Sequence, residues 1–513
     1  MTAVNESDLT ETAQAALDRR LLVVAHHLLT DRSEIDALAA RGSGVLLRRL
    51  LVEGRRRDSA LWLLTVGVTA AFPNADQMRM TQRAVRLADE SAVELAFLEA
   101  CFDAAARFDQ LDKDIRVVAG GVVVDVDFCA NHAHNTGIQR VVRQTMSRWS
   151  GERDVELVAW TAGGGAMRSL SGLERDRVVA WDSYREPSKD EPPQDPTRYE
   201  IVVPFGSAVI LPEVPQAALC DPLAALAEYS GNRVGLIGYD TIPVVSADTL
   251  DSSETERFVR YLTIVKHAHR IAGISAAATE EFRGFVSALP PQGLAGPEAV
   301  EVSLPVDKPA SVDSAPRGAG EDPLVICIGS QEPRKNHFAV LFAAESLWRE
   351  GARFRLRFIG GGSVLYTRAF DNRVAQLRRA GRQIEVLRGV NDAALLAAYQ
   401  EARFSLFPSL HEGYGLPVAE SIAFGTPVVT TSYGSTGEIA ADGGCLVVDP
   451  RDDDALIDAM RRLLTDTDEL ERLRAEIIRR PARTWDDYAN DLWNGLVVPM
   501  MRRSVNDAVA DPA

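Results

Sequence analysis

Nothing in the sequence pairs its cysteines: Cys101, Cys129, Cys220, Cys327 and Cys445 are widely scattered, and no Cys-x-x-Cys occurs. That excludes a disulfide-stapled scaffold and a thiolate zinc knuckle, and it fits a reducing compartment. Basic charge is scarce as well. Against 73 Asp and Glu stand 56 Lys and Arg, for a formal net charge of −17. This is the wrong balance for a nucleic-acid binder, and it weakens any case for holding an anionic membrane by charge alone. The local basic clusters at 55–57, 353–357 and 378–382 read as solvated faces. Long apolar runs are missing too, since LWLLTVGVTAAF at 61–72 is too short to cross a bilayer. The opening MTAVNESDLTET is polar and acidic, unlike a signal peptide. What remains is a globular profile, 46% apolar and 25% charged over 513 residues, a length that suggests two to four domains.

Residues 1–112 carry helical spacing, as in LLVVAHHLL and AVELAFLEACFDAAARF, with no strand signal. His26 and His27 there read as helix residues rather than ligands. At 116 the pattern changes to a β-branched run, RVVAGGVVVDVDF. A polar loop follows, then an amphipathic helix from about Gly137. Strand-like runs recur at 155–160, 201–212, 233–240 and 270–275, with a polar, proline-rich surface loop at 182–200. A linker-like stretch at 307–322 precedes a second alternation of strands (324–330, 355–363, 383–390, 404–409, 427–434, 445–450) and helices (365–380, 392–402, 417–424, 436–441, 453–466). The expected organisation is a helical region at 1–112, parallel α/β domains at 113–310 and 311–483, and a terminal helix within 484–513.

Chemistry gathers in FPSLHEGYGLPVAESIAFG, at 407–425. FSLFPS reads as a buried strand, HEGYG as a loop, and Leu416-Pro417 as a helix start, with Gly425 as its stop. Glu412 then lies at the carboxyl end of a strand, where open α/β sheets bind ligands, and Glu420 lies in the helix's first turn. A helix N-terminus suits phosphate, and glycines at 413 and 415 let the backbone approach. Arg334 and Lys335 in EPRKN follow the domain's first strand and could neutralise phosphate. Each feature also has a plainer reading: Glu420 as helix-dipole balance, Glu412 as a solvated loop residue, Arg334-Lys335 as a surface pair.

Taken in order, GSQEPRKN, RFIGGGS and NDAALLAAYQEARFSLFPSLHEGYGLPVAESIAFGTPVVTTSYGSTGEIAADGGCLVVDP closely resemble the retaining glycosyltransferases of family 4. NTGIQRVVR, GYDTIPV, ISAAATEEF and VSLPVD match less strongly; the resemblance covers about 116–480 and leaves out 1–112. It implies an α/β GT-B fold, two Rossmann-like domains facing each other across a cleft, here with an extra N-terminal helical region. It also implies that Arg334 and Lys335 neutralise the donor diphosphate, that Glu412 contacts the transferred sugar and that Glu420 holds the ribose. Gly137, Gly329, Gly413, Tyr414, Gly415 and Leu416 would line the donor site. Asp240 counts among the catalytic residues, and His134 and Arg140 fall on the acceptor side. Two departures stand out: Tyr239-Asp240 replaces the family's frequent His-Asp, and Ser330 replaces a frequent arginine, placing more weight on Arg334.

The expected reaction moves a hexose, GDP-mannose being the first donor considered, to a hydroxyl of a glycan or lipid-linked glycan, with retention. No metal or other cofactor is expected. Asp125-Val-Asp127 resembles a metal-binding DxD but sits where turn acids are routine, and His132 and His134 read chiefly as loop residues. Ser275 reads as a helix cap. The Gly137-Ile-Gln-Arg turn lacks Gly-x-Gly-x-x-Gly, which argues against a dehydrogenase. The rivals are a phosphorylase of the same architecture and a non-catalytic scaffold that binds glycan or nucleotide. The expected location is cytoplasmic, with peripheral membrane contact and a protein partner through 1–112 left open.

Overall fold

The computed structural model describes residues 6–185, 199–306 and 322–501, apart from 363. The linker-like stretch, save its last residue, and most of the proline-rich loop lie outside those residues.

Six helices open the chain: Glu6–Leu28, Arg32–Ala39, Ser43–Arg56, Asp58–Thr69, Ala75–Leu87 and Val93–Arg107. Side-chain caps mark two of their starts. Asp31 accepts from the amides of Ser33 and Glu34, and Asn74 forms a capping box with Gln77. The apolar stretch at 61–72 supplies Asp58–Thr69, which is buried from Ala60 to Thr69. A helix apolar on all sides belongs inside a bundle. The bundle is not a separate body. Its buried residues form one hydrophobic core with β-strand residues such as Val123, Val158 and Val203. Phe72 links the two, with ring centroids 5.2 Å from Trp62 and 5.6 Å from Trp160. The buried Arg20 reinforces the junction by donating to the carbonyls of Gly67, Leu111 and Lys113.

The first sheet has nine strands: β1 (Ile115–Ala119), β2 (Val122–Asp125), β3 (Glu156–Trp160), β4 (Met167–Ser169), β5 (Ile201–Phe205), β6 (Ala208–Leu211), β7 (Arg233–Gly238), β8 (Arg270–Gly273) and β9 (Glu298–Glu301). They lie in the order β1-β5-β4-β3-β2-β6-β7-β8-β9. Two expectations change here. The runs at 116–128 and 201–212 each hold two strands rather than one. Gly120 and Gly206, with φ of 70° and 59°, turn the chain so that β2 and β6 pair in the middle while β1 and β5 pair at one edge. The sheet is also not wholly parallel: β4 runs antiparallel to both β3 and β5.

The second sheet contains β10 (Leu324–Ile328), β11 (Arg355–Ile359), β12 (Ile384–Leu387), β13 (Phe404–Phe407), β14 (Val428–Thr431) and β15 (Cys445–Val448). The order is β12-β11-β10-β13-β14-β15 and every pairing is parallel. This is the doubly wound order, whose ligand crevice opens where the winding reverses, between β10 and β13. The chain then returns to the first lobe. Helix Trp485–Leu492 packs on helix Gly137–Glu152, where Trp149 Nε1 donates to the Ala489 carbonyl at 3.0 Å.

Candidate functional site

The carboxyl ends of β10 and β13 bring the expected cations and carboxylate together. After β10 the chain makes a short 3-10 turn, Pro333–Lys335, and after β13 the loop 408–415 leads into helix Leu416–Ala423. Lys335 Nζ donates to Glu412 Oε1 at 2.6 Å, and Arg334 Nη1 to Glu412 Oε2 at 3.0 Å. Arg334 also pairs with Glu332 at 2.9 Å. Lys335 and Glu412 side chains are each 9% exposed, so the solvated-loop and surface-pair readings fall. Burial opposes ionisation of Glu412, yet Lys335 and Arg334 hold its carboxyl below the usual range. Burial lowers the Lys335 ammonium, with Glu412 pulling the other way. Among the described residues, Arg334 Nε is buried without a hydrogen-bond partner, an unsatisfied donor at the centre of a cationic site.

Glycines let the backbone close around this group. Gly415 begins the helix at φ 98°, and no side chain caps the helix amides. A Cβ on Gly413 would lie 2.5 Å from the Tyr239 carbonyl and 2.8 Å from Asp240 Oδ2. Gly329, at φ 145°, lies alongside the Lys335 stem. From the first lobe, Asp240 follows β7 and comes close enough to feel Arg334. Burial pushes its carboxyl up to about 6, with Arg334 pulling it down. Tyr239 is turned away into the core, its hydroxyl donating to the Pro212 carbonyl at 2.7 Å.

Glu420 differs from the expectation. Helix Leu416–Ala423 starts early enough that Glu420 lies past its first turn, and the first turn carries no acid. Its carboxylate instead accepts from Tyr399 at 2.9 Å and reaches across to the first lobe, pairing with Arg140 at 2.8 Å. The side chains of Tyr414 and Leu416 serve the lobe junction: the Tyr414 hydroxyl donates to the Leu304 carbonyl at 2.8 Å, and Leu416 Cδ1 lies 2.8 Å from where a Cβ on Gly137 would stand. Gly137 is therefore a contact point between lobes, where any side chain would push the Leu416 methyl aside. Ser275 caps helix Ala276–Ser287, as expected, and also donates to the Gly413 carbonyl. His134 is exposed in its loop, with its carbonyl accepting from Arg143. Among the described residues no contact joins it to the cationic pair.

The Asp125-Val-Asp127 element is structural. Trp160 Nε1 donates to Asp125 Oδ2 at 2.8 Å, and the Trp160 amide to Asp127 Oδ1 at 2.9 Å. Burial raises both carboxyls, and Glu213 beside them is pushed up to about 7 while it accepts the amides of Phe128 and Cys129. Among the described residues, no group of three or more His, Cys, Asp or Glu is placed to hold a metal ion. None of the described helices is long and apolar enough to cross a membrane.

Sequence reasoning missed His411, Glu281 and Glu438. His411 Nε2 lies 2.7 Å from Glu281 Oε1 and its Nδ1 lies 2.8 Å from Ser246 Oγ. Glu438 accepts the amides of Ala276 and Ala277 across the lobe junction. No local signal could have exposed these pairs, whose partners lie 130 or more residues apart.

The chain is similar to known proteins in its second lobe and in its fold. Residues 313–480 match the family model "Glycosyl transferases group 1". A serotype-specific mannosyltransferase WbdA of Escherichia coli is 24% identical over 66% of this chain and 43% of its own length. The O-antigen chain mannosyltransferase B of Escherichia coli is 39% identical over 25% of this chain and 33% of its own. The chain thus spans less than half the length of these relatives. Among solved structures, sucrose-phosphate synthase of Thermosynechococcus elongatus superposes with a TM-score of 0.52 at 15% identity, over 76% of this chain and 99% of that one. Trehalose-6-phosphate synthase of Burkholderia multivorans gives 0.51 at 12% identity, over 78% and 99%. At such identities the likeness concerns the fold, and the two-sheet architecture is GT-B.

Proposed function

We propose, from a GT-B chain whose second lobe matches the group 1 glycosyl transferases, that this protein transfers a hexose from a nucleotide diphosphate sugar to a hydroxyl of a glycan or lipid-linked glycan, with the anomeric configuration retained. GDP-mannose is the donor we put first, because the relatives' names include mannosyltransferases, one of an O-antigen chain and one named as GDP-mannose-dependent. The observation that carries the reading is the Arg334–Lys335–Glu412 group, buried at the foot of an uncapped helix and facing Asp240 of the other lobe.

The chemistry follows from charge. Transfer breaks the bond between the anomeric carbon and the phosphate oxygen, and the bonding pair leaves with the diphosphate. Positive charge fixed beforehand where that negative charge develops lowers the barrier. Arg334, Lys335 and the positive end of helix Leu416–Ala423 supply it. Glu412 now neutralises both cations. A diphosphate arriving there competes with it and frees its carboxylate to accept from the sugar hydroxyls. Glu420 takes the ribose in the same way by releasing Arg140. The acceptor oxygen attacks from the face the phosphate leaves, and its proton passes to that phosphate, so no protein nucleophile is required and Glu412 is not one. Closure of the lobes keeps water from the donor. No metal is assigned a role. The location proposed is cytoplasmic.

A panel of nucleotide sugars, read by thermal shift and by nucleotide release with and without glycan acceptors, tests this. GDP-mannose is expected to raise the melting temperature and to be consumed. A protein that binds a nucleotide sugar but releases no nucleotide with any acceptor is a scaffold. One whose melting temperature responds to no nucleotide sugar overturns the reading altogether.

A further inference from the structure

His411 is inserted like a peg between two first-lobe residues. Its loop belongs to the second sheet, yet its ring sits between Ser246 Oγ at 2.8 Å and Glu281 Oε1 at 2.7 Å. The socket is itself braced: Glu281 Oε2 accepts from the Thr241 amide at 2.7 Å and the Thr241 hydroxyl at 2.8 Å. Thr241 follows Asp240 directly. On the peg's side, the His411 carbonyl accepts from Arg334 Nη1 at 3.3 Å, and the next residue is Glu412. One short network thus runs from the loop after β7, through helix Ala276–Ser287, to the cationic turn of the second lobe.

Both ring nitrogens are engaged, so His411 is not free to touch a sugar or to act as a general base. We propose that His411 is a positioning residue, a latch that couples closure of the two lobes to the placement of Glu412 and Arg334. It rests on the transferase reading only for its effect on turnover. The imidazole beside Asp240 thereby comes from the second lobe, where Tyr239 of the first lobe has been given to the core.

The charges around the ring favour its cation. Glu281 lies on helix Ala276–Ser287, Asp240 after β7, and Glu412 on the ring's own loop, all acidic; Arg334 reaches only the carbonyl. The hydrogen bond to Glu281 raises the imidazole above its usual range, against burial. Burial opposes ionisation of Glu281, but His411 and Thr241 hold its carboxyl low. Because the folded imidazole is raised, the attraction is fully present below about pH 6.5 and is lost as pH climbs through the raised value.

Small-angle scattering of the unliganded full chain between pH 6 and 9 reads the latch without any turnover. The wild type is expected to expand as pH rises. His411→Gln and Glu281→Gln are expected to be expanded already at pH 6 and indifferent to pH, with Ser246→Ala, the mildest change, in between. Circular dichroism confirms that each is folded. With GDP-mannose as probe, KM is expected to rise about 5- to 20-fold in His411→Gln at pH 6.5. The gap should narrow by pH 9, with kcat moving much less. Closure that depends on His411 in a protein inactive toward GDP-mannose leaves the latch standing and counts against the donor assignment. An active enzyme in which all three variants follow the wild type in scattering and in pH profile overturns the latch.

Discussion

Two acid pairs stand at the carboxyl ends of strands, one in each sheet, and their environments send them opposite ways. Glu412 and Glu420 follow β13; Asp125 ends β2 and Asp127 opens the short helix after it. Glu412 and Asp125 are both buried. In the second lobe the carboxylates face Lys335, Arg334 and Arg140, and Glu412 is held ionised. In the first lobe they face an indole N–H, backbone amides, each other and Glu213; Arg168 acts on Asp127 but is paired with Glu174, and burial drives the carboxyls up. Equal burial therefore does not decide the role; the partner does. A carboxylate exchanged against cations can give way to phosphate. An acid held chiefly by fixed dipoles, with no cation in contact, holds the loop instead.

The largest effect should come from the second lobe. Lys335→Met keeps the stem against Phe407, over whose ring the ammonium lies at 4.9 Å, but removes the charge. Turnover is expected to fall by roughly 10²–10³, about 3–4 kcal/mol of transition-state stabilisation. Steady-state nucleotide release checks it, and near-native turnover would show that the buried cation is structural, like the acids of the first lobe. Glu412→Gln complements it. It leaves the buried Lys335 without its counter-charge and Arg334 with Glu332 alone, and breaking a buried pair costs on the order of 3–5 kcal/mol of stability, measurable as a fall in the urea midpoint.

The first lobe should answer in pH rather than in rate. Glu213 is pushed up from 4.5 to about 7. A carboxyl raised by folding binds its proton more tightly in the folded chain, so it favours folding at low pH, and that advantage is lost between about 4.5 and 7. Its share is on the order of 3 kcal/mol. Asp125, Asp127 and Asp240 are raised in the same sense. Glu213→Gln should therefore flatten the decline of stability between pH 5 and 8, read from urea midpoints, with turnover little changed. An unaltered slope would place the titration elsewhere and weaken the contrast between the lobes.

The same contrast explains what could be read from the residues alone. In the second sheet, apolar runs end in glycine or proline turns and alternate with helical patterns, so the six strands and the positions of Arg334, Lys335 and Glu412 were legible. The first sheet hid four of its strands. β1 and β2 looked like one run, as did β5 and β6, β4 is three residues long, and β9 is the polar edge strand Glu298–Glu301, whose composition resembles a loop. The helical bundle was legible as helices but not as part of the sheet's core, because the contacts of Trp62, Phe72 and Trp160 join residues far apart in the chain. The cross-lobe partners of Glu420 and His411 were hidden for the same reason.

The smallest expected effect concerns the bridge that joins the lobes most directly. Arg140 is 43% exposed and Glu420 21%, and a pair this open to water contributes about 0–1 kcal/mol after screening. Arg140→Ala should leave stability within about 0.5 kcal/mol. If Arg140 merely occupies Glu420 until a ribose arrives, its removal should also lower the donor KM slightly, because nothing then competes. Glu420→Ala should raise it about tenfold, as expected for a lost charge-assisted hydrogen bond of about 1.5 kcal/mol. Opposite signs from two halves of one ion pair are what separate a placeholder from a structural bridge. Equal losses from both variants would mean that Arg140 itself contacts the donor, and the first lobe would then share the electrostatic work now assigned to the second.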